Sequence, residues 1–188
     1  MSLVELIAQA DERGLAASGL ACLDRCVPLL GGDDELLRPL WASLADPAGP
    51  GDWADRLEQV RGKADGTRPA EEADDEAVLL ARRMLAAAPD DWESAGMRVW
   101  ADACSVASLR IHRTLDLVDD EASSVDARRE GRTEGMSPLV AAELRRQITV
   151  LELLAGHGTG GVRPALEVST EGRRILRAVV SRRARGRV

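Results

Sequence analysis

The chain has no Phe and no Tyr, so its four tryptophans, Trp41, Trp53, Trp92 and Trp100, are its whole aromatic content. An interior without those rings must be filled by Leu, Val, Ile, Ala and Met around a few indoles. Such a palette suits close-packed helices better than the β-branched and aromatic surfaces that sheets prefer.

The spacing of the apolar residues points the same way. Leu3, Leu6, Ile7 and Ala10 share one face of a first helix ending near Gly14. A second, from about Ala16 to Val27, carries Leu20, Leu23 and Val27 with Cys22 and Cys26 widening the stripe, which predicts a central position. Asp33 or Asp34 opens a third with Leu37, Leu40, Trp41 and Leu44, which Pro39 kinks unless the helix starts just before it. Trp53, Leu57 and Val60 mark a fourth that Gly62 should end, and Ala73, Ala77, Leu80, Met84 and Ala88 a fifth stopped by Pro89. The sixth is the clearest: Met97, Trp100, Cys104, Ala107, Ile111, Thr114 and Val118 alternate steps of three and four, and Asp90 with Glu93 resembles a capping box ahead of it. Ser137, Pro138 and Gly156 bracket another helix, with Val140, Leu144, Ile148 and Leu151 on its buried face.

Val162, Pro164, Leu166 and Val168 alternate with Arg163, Ala165, Glu167 and Ser169, a period of two that predicts an extended edge segment. A basic amphipathic helix follows from about Thr170 to Arg183, with Ile175, Leu176, Val179 and Val180 facing inward. Together Val162 to Val180 resemble the wing and last helix of a winged-helix regulator. No helix-turn-helix precedes them, because Leu144 to Leu154 read as a single apolar helix, and no residue role is carried over from that family.

The predicted fold is an all-α helical bundle of six to eight helices, with one short extended segment or hairpin near residues 162–168. The chain divides into an acidic helical domain over 1–118, a polar linker or mobile loop over 119–136, and a C-terminal helical segment with a basic arm over 137–188. The expected core is Leu20, Leu23, Leu40, Trp41, Met84, Met97, Trp100, Ile111, Leu144, Ile148 and Leu151.

Charge supports this division. Residues 1–130 hold 27 Asp and Glu against 14 Lys and Arg, whereas 131–188 hold 5 against 11. No run approaches the roughly 20 apolar residues of a membrane span, so no membrane partner is expected. Three cysteines without a regular framework fit a reducing compartment, and the expected location is cytoplasmic.

Candidate chemistry reduces to a few clusters. The pairs Asp33-Asp34, Asp74-Asp75, Asp90-Asp91 and Asp119-Asp120 could in principle hold Mg²⁺ for a helical enzyme, yet two or three of them fall where helices begin, and there carboxylates cap free N–H groups. Cys22 and Cys26 share a helix face but make only two ligands, and read as small apolar packing. His112 and His157 read as boundary and helix-end residues. The glycines at 158, 160 and 161 follow no strand and precede no Gly-Lys-Ser/Thr, so they are not a phosphate loop. No catalytic residue, metal ligand or cofactor site is assigned.

Arg173, Arg174, Arg177, Arg182 and Arg183 remain, as a footprint for nucleic acid or an acidic partner. The overall charge of −7 opposes DNA binding by the whole protein. The expected function is therefore a small helical interaction or accessory protein, with a protein partner or a homodimer. A DNA-associated transcriptional regulator and a Mg²⁺-dependent enzyme are the alternatives.

Overall fold

The computed structural model of the chain describes residues 1–66, 75–116 and 124–186. These residues form an all-α bundle: α1 (Leu3–Gln9), α2 (Glu12–Arg25), α3 (Arg38–Ala45), α4 (Trp53–Gly66), α5 (Glu76–Ala86), α6 (Ser94–Leu115), α7 (Val125–Arg129), α8 (Pro138–His157) and α9 (Val162–Arg185). Among the described residues there is no strand, and eight of the nine helices have seven residues or more.

Four helix starts follow from short polar side chains set before apolar stripes, at Ser2, Asp11, Asp75 and Ser124. The Ser2 hydroxyl accepts from the Glu5 N–H (3.3 Å) and the Glu5 carboxylate from the Ser2 N–H (2.7 Å), a complete capping box. Asp11 caps α2 by accepting from the Gly14 N–H (2.7 Å), and Asp75 caps α5 through the Ala77 N–H (2.9 Å). Each such cap is worth about 1 kcal/mol. Pro39 is the second residue of α3, where its missing N–H costs no helix bond, so α3 begins at Arg38 rather than at the Asp pair. The capping box expected at Asp90 and Glu93 does not form: Asp90 pairs with Arg61 (2.7 Å), and Glu93 occupies the cap position without a side-chain bond. Gly14 and Gly62 lie inside helices rather than at their ends.

Helix α2 is the axis of the bundle, with every residue from Gly14 to Arg25 buried. It packs against α6, α8 and α9, and α5 flanks α6. Gly19 allows the closest approach, since a Cβ there would stand 2.7 Å from the ring of Trp100. Trp53 meets Trp92 and Trp100 edge to face, at centroid separations of 5.5 and 6.2 Å, and donates its indole N–H to the Pro89 carbonyl (2.8 Å). All the expected core residues are buried except Ile148, which is half-buried.

Residues 162–168 are not extended. They form the first turns of α9, whose buried positions Val162, Ala165, Ser169, Gly172 and Leu176 recur at three and four. The period of two was a chance alternation within that longer stripe. Pro164 is the third residue of the helix, where an N–H has no intrahelical acceptor. The wing of the winged-helix resemblance is therefore absent.

Residues 124–136 are anchored by two arginines. Arg128 is buried and donates to the carbonyls of Arg132 (3.0 Å) and Glu134 (2.5 Å), while Arg129 reaches into the bundle toward α6. The pairs and linker residues at 67–74 and 117–123, including Asp74, Asp119 and Asp120, lie outside the described residues.

Candidate functional site

Helix α8, and α9 with the C-terminal arginines, are joined to α2 and α6 by polar groups. Arg25 on α2 makes a two-pronged pair with Glu143 on α8, Nε to Oε2 and Nη2 to Oε1, both 2.7 Å, with both side chains wholly buried. Glu143 also accepts from Ser108 Oγ (2.7 Å) and from Gln147 Nε2 (2.8 Å), and Gln147 in turn accepts from Ser105 Oγ (2.7 Å). Arg129 donates to Ser105 Oγ (3.0 Å) and pairs with Asp102. Gly172 on α9 leaves the room that Arg25 needs, because a Cβ there would lie 2.4 Å from its Cδ.

Burial alone would raise the Glu143 carboxyl, but the Arg25 guanidinium, His112 and the hydrogen bonds from Arg25 and Gln147 override it and hold the group down at about 2. His112 is not a boundary residue: it is 1% exposed, its Nδ1 donates to the Ser108 carbonyl (2.7 Å), and its Nε2 lies 3.5 Å from Glu143. Burial lowers its pKa, against the pull of Glu143. Sequence reading missed this cluster because Arg, Glu, Ser and Gln on a helix face register as solvated positions. The available signal was that Glu143 and Gln147 share the apolar stripe of Val140, Leu144 and Leu151.

The five candidate arginines divide into groups. Arg173 is buried, with Nη1 2.5 Å from Asp24 and Nε 3.3 Å from Asp34, and Arg177 pairs with Asp34 (2.5 Å). Burial pushes the Asp24 carboxyl up to about 6 against Arg173 and Arg25. Arg183 donates to the Thr114 carbonyl (2.9 Å), which ties the end of α9 to the end of α6, and Arg174 and Arg182 are exposed.

With their inward faces locked by these polar groups, α8 and α9 leave an apolar groove on their outer side, with a volume of about 770 Å³. Its floor is Leu115, Leu139, Ala142, Ile175 and Val179, and its cationic rim is Arg146, Arg182 and Arg183. Ile175, expected to face inward, is 37% exposed there. The acidic side chain on the lining, Asp116, accepts the Leu139 N–H at the start of α8 (3.1 Å). Arg146 is half-buried, its Nη1 is buried with no hydrogen-bond partner among the described residues, and burial lowers its pKa.

The other clusters do not converge. Among the described residues no three His, Cys, Asp or Glu side chains gather where they could hold a metal ion. Asp33 accepts the Glu35 N–H (3.0 Å), and Asp34, Asp75 and Asp90 are engaged as described. Cys22, Cys26 and Cys104 are free and buried; burial pushes the Cys22 thiol up to about 12, and the other two up as well. His157 is exposed at the end of α8, its Nδ1 donating to the Leu153 carbonyl (3.2 Å). No helix among the described residues is long and apolar enough to cross a membrane. Comparison with protein-family models, with curated proteins and with solved structures finds no match for the chain.

Proposed function

We propose that the protein is a helical interaction module and that the α8–α9 groove is its docking surface. The observation that carries this reading is the placement of polarity on these two helices. Their inner faces hold Glu143, Gln147, Ser169 and Arg173, while Ile175, Val179 and Leu139 line the open groove outside. An apolar trough with a charged rim is the form in which protein surfaces receive a partner helix. The engagement of Arg173 and Arg177 by Asp24 and Asp34 supports the same reading over DNA binding, since those two guanidiniums already have acidic partners. Three free, buried thiols support a reducing compartment.

The test is site-directed photocrosslinking in cells. A crosslinking residue at Ala142 in the groove is compared with one at Val99, which is 73% exposed on α6 and away from it. The reading expects a discrete adduct from position 142 only, and a purified adduct partner that binds the Ile175→Glu variant at least tenfold more weakly. Equal adducts from both positions, or a partner indifferent to Ile175→Glu, would count against it.

A further inference from the structure

We infer that the groove takes an amphipathic α-helix bearing carboxylates along its flank, one of which seats on Arg146. The inference rests on the docking reading above and names the partner's chemistry. Charge complementarity carries it: the rim presents Arg146, Arg182 and Arg183, and Asp116, the acid beside them, is already occupied at the start of α8.

Arg146 differs from the other two. A guanidinium is built to receive a carboxylate through two parallel N–H donors, and a donor buried without a partner is costly to leave so. Its Nη1 is buried with no hydrogen-bond partner among the described residues, Glu143 one turn before it on α8 being consumed by Arg25, so a carboxylate arriving in the groove would draw this guanidinium outward. Half-burial over an apolar floor also removes part of the solvent screening that makes exposed ion pairs weak. Arg182, by contrast, is exposed and Arg183 is tied to Thr114.

The charge of the groove favours a helix over a fatty-acid-like anion. A fatty acid brings one carboxylate to a rim of three guanidiniums, Arg146, Arg182 and Arg183, whereas a helix can set several beside an apolar stripe. That is how an amphipathic helix lies in a groove, with its apolar stripe down and its charges on the flanks.

Two labelled peptides of about 16 residues, long enough to be helical, test this by fluorescence anisotropy with the full chain. They share one apolar stripe and carry either Glu or Gln on the flanks. The Glu peptide should bind the natural chain about tenfold more tightly than the Gln peptide, and lose about tenfold on Arg146→Gln, the equivalent of one charge-assisted hydrogen bond. Arg146→Lys should recover part of the loss. If Arg146→Gln fails to fold by circular dichroism, Arg182→Gln, exposed on the rim, should still weaken the Glu peptide selectively. Equal binding of both peptides, lost on Ile175→Glu, would keep the docking reading and overturn the acidic partner. Binding indifferent to Ile175→Glu, or no binding of either peptide, would overturn both. Binding of dodecanoate without either peptide would assign the site to a lipid-like anion, and a doubled mass in light scattering abolished by Ile175→Glu would assign it to a second copy; either result overturns the inference.

Discussion

Replacing Arg25 with Met would strand the Glu143 carboxylate in the centre of the bundle. The two side chains exchange two hydrogen bonds of 2.7 Å and neither is exposed, so water cannot substitute for the lost partner. Removing one member of such a pair costs about 3–5 kcal/mol. Glu143→Leu should cost a similar amount, because Arg25 would keep only the Cys22 sulfur at 3.4 Å and Ser169 at 3.5 Å. The double variant removes both charges together. What it leaves is Ser108 and the Gln147 amide without one acceptor, about 1–3 kcal/mol, and Gln147 retains Ser105. The double variant should therefore be more stable than either single one, with a coupling of at least about 3 kcal/mol. Urea unfolding of the four proteins, followed by tryptophan fluorescence, measures it. A single variant that loses less than about 1 kcal/mol, or additive losses in the double variant, would refute the claim that this pair joins α8 to α2.

Three further predictions address the same interior. Asp24, raised to about 6 by burial, binds a proton more readily folded than unfolded, so its contribution to stability is full below about 4 and is lost as the pH rises through 6; His112, lowered by burial, contributes in the opposite sense, fully above about 6.5 and less as the pH falls from there through its lower folded value. Between pH 7 and 5, Asp24→Asn should thus make the protein less stable on acidification relative to the natural chain, and His112→Gln more stable; unchanged slopes in chemical denaturation at both pH values would contradict these assignments. Gly19→Ala would push a methyl to 2.7 Å from Trp100 and should cost about 1–3 kcal/mol, read as a lower melting temperature, with an unchanged one contradicting the α2–α6 packing. All three thiols are buried and their pKa values are raised, so none should react with a thiol reagent in the native protein and all three should in guanidinium; prompt labelling of any would contradict their burial.

The helical class was legible from the lack of Phe and Tyr together with stripes at three and four, and α2 was correctly placed at the centre because it is apolar on two sides. Period alone misled at residues 162–168, where of the four alternating apolar residues only Val162 lies on the buried stripe, which runs on through Ala165, Ser169, Gly172 and Leu176; reading Ala, Ser and Gly as possible buried positions would have restored the helix. The acids were read as caps and solvated surface. Asp11 and Asp75 do cap, but Asp24 and Glu143 are buried because arginines reach them from positions 149 and 118 residues away. Sequence spacing carries no trace of pairings at that separation. The groove was equally hidden, since Ile175 and Val179 look like core residues until Arg173 and Gly172 are seen to turn the other side of α9 inward.

Amide chemical-shift mapping tests the docking surface most directly, with the acidic peptide titrated into isotope-labelled protein. The account predicts perturbations concentrated at 138–146 and 175–186, with the end of α6 joining them and α1, α4 and α5 silent. Shifts centred on α4 and α5, or spread without a focus, would contradict it.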